Sequence, residues 1–177
     1  MKTKIILILL IALSFGGSLF AQDSYQIFPS EGFKIKCGCK LSVNSTFIQM
    51  AQQGKKDVIA AYICAENQDN PDIGVIVNLN IYDEATNYRK IQPSGHAYYE
   101  KKYLEHYATS LSNAGIPYNY TTYQGVTALE YNFNQTGLPT KAIMFLKNER
   151  SYLLQVATRN NLTTKFSELK ASFHMLL

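Results

Sequence analysis

The chain has no tryptophan, and only three cysteines, three histidines and five prolines stand among its 177 residues. It contains no Cys-x-x-Cys, no Gly-x-Ser-x-Gly, no phosphate-binding loop and no dinucleotide glycine pattern, so no catalytic motif is legible. His96, His106 and His174 have no metal-ligand spacing to one another. They read as partly exposed helix residues rather than ligands. Asp83-Glu84, at an expected strand end, reads as a solvated turn rather than a catalytic pair. No polybasic block occurs, which excludes the electrostatic footprint of a nucleic-acid or anionic-membrane binder. There is no low-complexity tract, internal repeat or linker, so a single domain is expected.

What is present begins at the N-terminus. Met1-Lys2-Thr3-Lys4 is basic, Ile5 to Leu13 is nearly pure hydrocarbon, and Ser18-Leu19-Phe20-Ala21 relaxes into smaller residues. That is the n/h/c pattern of a signal peptide with cleavage after Ala21. The apolar run is shorter than the roughly 20 residues of a bilayer span, and Gly16-Gly17 interrupts it. The expected organisation is residues 1–21 as signal peptide and 22–177 as one domain. Its location is periplasmic or extracellular, with no stable membrane insertion after cleavage. The formal charge of +4 falls to +2 when Lys2 and Lys4 are removed. Four Asn-x-Ser/Thr triplets, at Asn44, Asn119, Asn134 and Asn161, are either glycan acceptors or polar turn residues.

Hydrophobic periodicity predicts the elements. Tyr25 to Phe28 reads as a short strand. From Phe33 to Leu41, apolar residues alternate with Lys34, Lys36, Gly38 and Lys40, a half-buried strand. Asn44 or Ser45 caps a helix that Gly54 stops. Val58–Cys64 and Gly74–Tyr82 read as strands. The strongest helix opens at Ser94-Gly95 and carries Tyr99, Tyr103, Tyr107 and Leu111 on one stripe, closed by Gly115 and Pro117. The tyrosines of this stripe read as core, with their hydroxyls reaching the rim. Two strands meet at Gly125, and two more form a hairpin around Lys147–Arg150. A last helix from about Thr164 is expected to bury Phe166, Leu169, Phe173 and Leu176. This order predicts an α+β fold, a mainly antiparallel sheet with helices over both faces.

Cys37, Cys39 and Cys64 are the sharpest local signal. In an oxidising compartment one of Cys37 and Cys39 bridges to Cys64, and the other remains a small buried thiol. Antiparallel pairing of 33–41 with 58–64 places Cys37 opposite Cys64, and a two-residue change of register favours Cys39. The alternatives are a thiol-redox pair or a soft-metal site for Cu(I) or Zn(II). The tyrosines are the other candidate: eight of thirteen fall between Tyr98 and Tyr131. Tyr118, Tyr120 and Tyr123, on an edge strand, would offer a binding face for a glycan or protein at the cell envelope.

Tyr123-Gln124-Gly125-Val126-Thr127-Ala128-Leu129-Glu130-Tyr131 leads into Lys141-Ala142-Ile143-Met144-Phe145. Then follow Ser151-Tyr152-Leu153-Leu154-Gln155-Val156 and a helix carrying Phe166-Ser167-Glu168-Leu169 and Ser172-Phe173. With Tyr25…Phe28-Pro29-Ser30-Glu31-Gly32-Phe33 at the front, this succession resembles the PsbP/Mog1-like family. The resemblance implies an α-β-α sandwich and a binding or accessory module without a shared catalytic motif. It brings no cofactor and no catalytic residue to carry over, and it does not include the cysteines. The expectation is therefore an exported, non-enzymatic binding or accessory protein with no cofactor and no resident metal. The alternative is a metal-handling or thiol-redox protein using the three cysteines.

Overall fold

The computed structural model describes residues 24–176, apart from positions 55, 68, 71 and 136. The expected signal peptide, 1–21, lies outside the described residues. A large sheet runs in the order β3 (Ser42–Val43), β4 (Val58–Glu66), β5 (Val75–Asp83), β9 (Arg150–Thr158), β8 (Leu138–Lys147), β7 (Val126–Gln135) and β6 (Tyr118–Tyr123). Every neighbouring pair in it is antiparallel. A second, three-stranded sheet joins β1 (Gln26–Phe28), β2 (Phe33–Ile35) and β10 (His174–Met175). The helices are α1 (Ser45–Gln53), the single turn α2 (Ala85–Tyr88), α3 (His96–Asn113) and α4 (Leu162–Ser172).

Strand alternation divides the large sheet into two apolar faces. One face carries Val77, Leu79, Ile143, Phe145, Tyr152 and Leu154, and is covered by Phe166 and Leu169 of α4 and by the small sheet. The other carries Leu129, Tyr131, Met144 and Leu153 under Leu104, Ala108 and Leu111 of α3. The expected α+β sandwich is thus realised, with one long helix on each face. The turns that join the last four strands are chemically specific. Gln124-Gly125 and Asn148-Glu149 all have positive φ, the geometry of two-residue turns whose twist matches that of the flanking strands.

Two segments depart from expectation. Residues 33–41 do not form one strand paired with β4. Pairing along β2 stops at Ile35, and only Ser42–Val43 lies beside β4, at Ser42↔Ile63 and Val43↔Tyr62. The chain between crosses from the small sheet to the large one. It is held by the buried Gln26 side chain, which donates to the Cys39 carbonyl at 2.9 Å and accepts from the Leu41 amide at 2.8 Å. The last helix also stops earlier than its apolar period. Phe173 is extended at φ −82°, ψ 125°, and His174 and Met175 pair with Lys34 and Phe33. Phe173 is still fully buried, but as the link into β10. His174 is consequently a strand residue, its Nε2 3.0 Å from the Tyr25 hydroxyl.

Candidate functional site

The predicted cysteine site forms around the crossing segment. The disulfide joins Cys39 to Cys64, with Cα atoms 5.7 Å apart and a sequence separation of 25. Cys37 remains the free, half-buried thiol. The one-of-two expectation holds, and the bridge falls to Cys39. Residues 37–39 cross between the sheets, so strand register with β4 does not decide the partner. Cys37 Sγ donates to the Cys39 carbonyl at 3.1 Å and accepts from Gln26 Nε2 at 3.3 Å. Burial, the largest influence, pushes this thiol up from 9.0 to about 11, so it is protonated and weakly nucleophilic at neutral pH.

Gly38 lies against the end of the flexible Glu66 side chain, so a larger residue there would displace that carboxylate. The carboxylate lies beside the bridge: a Glu66 oxygen and the sulfurs of Cys39 and Cys64 all fall within 4.8 Å of one another. With the sulfurs joined, they are not thiolate ligands. The three residues form a cation-ligand set only when the bridge is reduced.

A groove of about 650 Å³ opens next to this cluster. Val75, Val77 and Val156 of the sheet and Leu169 of α4 make its apolar surface, and Cys37 and Gly38 form one wall. Its rim is charged in both signs, by Lys36 and Lys165 and by Glu66 and Glu168. Lys165 pairs with Glu168 at 3.3 Å. Ser172 Oγ donates to the Lys36 carbonyl at 2.6 Å and ties the end of α4 to the cysteine segment. The groove was not legible in the sequence. Its walls come from five separate segments, the crossing residues 36–38, β4, β5, β9 and α4, and no local pattern brings these together.

The tyrosine trio is divided by the two-residue period of β6. Tyr118 and Tyr120 share the α3 side, their ring centroids 6.0 Å apart and edge to face. Tyr123 has the opposite parity and turns into the core. It packs on Phe145 at 5.1 Å and donates to the Lys170 carbonyl at 2.8 Å. The trio therefore makes no common face. β6 does lie at the edge of the sheet.

Sequence reasoning missed one polar site. Glu84 is 7% exposed rather than part of a solvated turn. It accepts from the Tyr99 hydroxyl at 2.6 Å and from Asn87 Nδ2 at 3.0 Å. Neighbouring Asp83 accepts from the Ala85 amide at 2.9 Å and starts α2. Further along α3, Tyr103 meets Ser151 Oγ at 3.1 Å and Tyr107 meets the Tyr131 hydroxyl at 2.7 Å. Burial raises all of these phenols, Tyr103 to about 12. The four-residue spacing of the tyrosines was the signal for this arrangement, but their partners lie on other elements.

No family model matches the chain, and no curated protein matches it. Among solved structures, the chain is similar to LpqN, described as involved in cell envelope biogenesis of Mycobacterium tuberculosis. The identity is 13% and the TM-score 0.35, over 67% of this chain and 72% of that one. These comparisons do not place the chain in the PsbP/Mog1-like family. Among the described residues, no helix is long and apolar enough to cross a membrane.

Proposed function

We propose that this protein is an exported binding or accessory module, and that the groove beside the Cys39–Cys64 bridge takes a small amphipathic ligand. The groove itself carries the reading. Its volume of about 650 Å³ lies in the range of small-molecule sites, which combine an apolar lining with a few placed polar groups. An apolar body fits against Val75, Val77, Val156 and Leu169, and a charged or zwitterionic head meets the lysines and glutamates of the rim. A disulfide between Cys39 and Cys64 suits an oxidising compartment, as does the n/h/c pattern at the N-terminus. The resemblance to PsbP/Mog1-like proteins implies a binding or accessory module, which agrees with this reading.

The absence of tryptophan provides a clean assay. Ala171 lines the groove from α4 and is exposed, so Ala171→Trp installs a single reporter there. Titration with decanoate, lysophosphatidylcholine and a cationic alkylamine is expected to give a saturable 1:1 emission shift with at least one of them. No saturable shift with any of the three would overturn the reading.

The second reading, metal handling or thiol redox, rests on the approach of Glu66 to both bridged sulfurs. It requires the bridge to open. Thiol counting on the native protein separates the two: one free thiol supports the binding module, and three with bound metal support the alternative.

A further inference from the structure

The two edges of the large sheet are unequal. At one edge β3 is two residues long, Ser42–Val43. At the other, β6 spans Tyr118–Tyr123 and is exposed along Asn119–Thr122. Natural sheets guard long edges with lysines, prolines or bulges. β6 carries none of these. It has no charged residue, and its pairing with β7 runs without a break from Tyr118↔Tyr131 to Tyr123↔Val126.

The two-residue turn at Gln124-Gly125 sets which backbone groups face outward. Tyr123 and Val126 flank the turn as a hydrogen-bonded pair. Alternation then directs Asn119 and Thr121 toward β7, and leaves the N–H and C=O groups of Tyr118, Tyr120 and Thr122 pointing away from the sheet. Among the described residues, no backbone bond of a turn, loop or cap uses them.

We infer that β6 is a self-association edge, and that two copies of this chain join antiparallel through it about a two-fold axis at Tyr120. That register pairs every outward group: Tyr120 with Tyr120, and Tyr118 with Thr122 in both directions. Each pair exchanges two hydrogen bonds. The uncharged strand meets its copy without like-charge repulsion.

A second feature fits the same register. A cavity of about 410 Å³ lies between α3 and the end of the β6–β7 hairpin, with Ala97, Leu104, Tyr120 and Thr127 among its walls. Thr127 is the β7 neighbour of Thr122. Tyr118 of the second copy, arriving opposite Thr122, therefore comes to the mouth of this cavity. By symmetry each copy brings one cavity and one Tyr118, a half-buried ring that already packs on its own α3-side core and accepts from Ser112 Oγ at 3.4 Å, so only its exposed edge meets the partner, as an isologous interface allows. Glu100 and Lys101 on the rim give it charge of both signs. The short opposite edge leaves no comparable template, so association closes at two copies instead of growing into a fibre. A contact made mainly by one strand belongs with the small, transient interfaces, so a weak dimer of about micromolar affinity is expected.

Sedimentation velocity of the purified protein from about 1 to about 300 µM brackets that range and tests the assignment. A reversible monomer–dimer equilibrium is expected, weakened at least tenfold by Tyr120→Lys. The register is tested separately in a Cys37→Ser background. Tyr120→Cys is expected to cross-link to itself on mild oxidation, because hydrogen-bonded pairs lie about 5.5 Å apart at Cα, within disulfide reach. Thr121→Cys is expected not to. A protein that stays monomeric throughout overturns the inference and leaves the edge to a different extended peptide. A dimer that neither responds to Tyr120→Lys nor cross-links through Tyr120→Cys overturns it as well. Ligand uptake at the distant groove is read independently by the Ala171→Trp reporter.

Discussion

On the α4 face of the large sheet aromatic rings dominate the buried contacts; on the α3 face aliphatic packing is bordered by tyrosines whose hydroxyls bond to polar partners. Phe173 is packed at 5.3 Å on Phe33, 6.0 Å on Phe145 and 6.1 Å on Tyr152, with no exposed surface. The opposite face has fewer fully buried large side chains. Its tyrosines insert apolar rings at the border and deliver their hydroxyls to Glu84, Ser151 and Tyr131. Both faces exclude water, but by different physics. Aromatic packing depends on volume and tolerates changes of pH. A hydroxyl network depends on each proton having an acceptor, and it responds to alkali. The groove and the disulfide lie on the first face, where burial also raises the phenols of Tyr62, Tyr123 and Tyr152, so the two faces differ in how much of their packing passes through hydroxyls and not in whether alkali reaches them. The self-association edge presents its tyrosines on the second.

The contrast predicts three graded outcomes. The largest belongs to Phe173. Phe173→Ala should lower stability by about 3–5 kcal/mol in urea denaturation, because the surrounding rings come from three strands and cannot all collapse into the space. A loss under 1 kcal/mol would show that the α4 face is not a tight aromatic core. Next is the bridge. The double substitution Cys39→Ala with Cys64→Ala should cost about 2–4 kcal/mol. The loss should appear equally in the native protein treated with a reductant. An unchanged denaturation midpoint in both would mean that the Gln26 and Ser172 hydrogen bonds hold the crossing segment without the bridge.

The smallest effect is the share of alkaline loosening that Tyr103 alone carries. Burial raises Tyr103 from 10.0 to about 12 in the fold, so the folded state favours the neutral phenol. That stability is intact below pH 10 and falls as pH climbs from 10 toward 12. The slope is roughly 1.4 kcal/mol per pH unit for each such tyrosine. Stability curves from pH 8 to 11.5 should bend downward above pH 10, and Tyr103→Phe should bend less. A curve unaffected by Tyr103→Phe would remove the distinction between the faces.

Much of this was legible along the chain. The strands of the last two hairpins, the stripe on α3 and the Asn44 cap follow from local patterns, and Asn44 does accept from the Phe47 amide at 3.0 Å. The disulfide was legible only as a pair of alternatives, because period-two patterning continues from Phe33 to Leu41 through a segment that leaves its sheet at Ile35. The tyrosine trio shows the same limit at smaller scale. Composition grouped Tyr118, Tyr120 and Tyr123, while parity separates the third from the first two. Glu84 looked solvated because its acceptor role depends on a tyrosine fifteen residues away.

Residue type and spacing alone settled the class of fold and the number of helical faces, and reduced the three cysteines to a bridge onto Cys64 set against a redox pair or a metal site. Each rests on local propensity, on period or on a small count of thiols. The tertiary structure decided which cysteine bridges, which tyrosines turn inward, where the groove opens and which strand is left at the edge. These are outcomes of long-range closure: β10 returns to β2 and residues 36–41 cross between sheets. No local pattern encodes those contacts, because the residues that make them are separated by most of the chain.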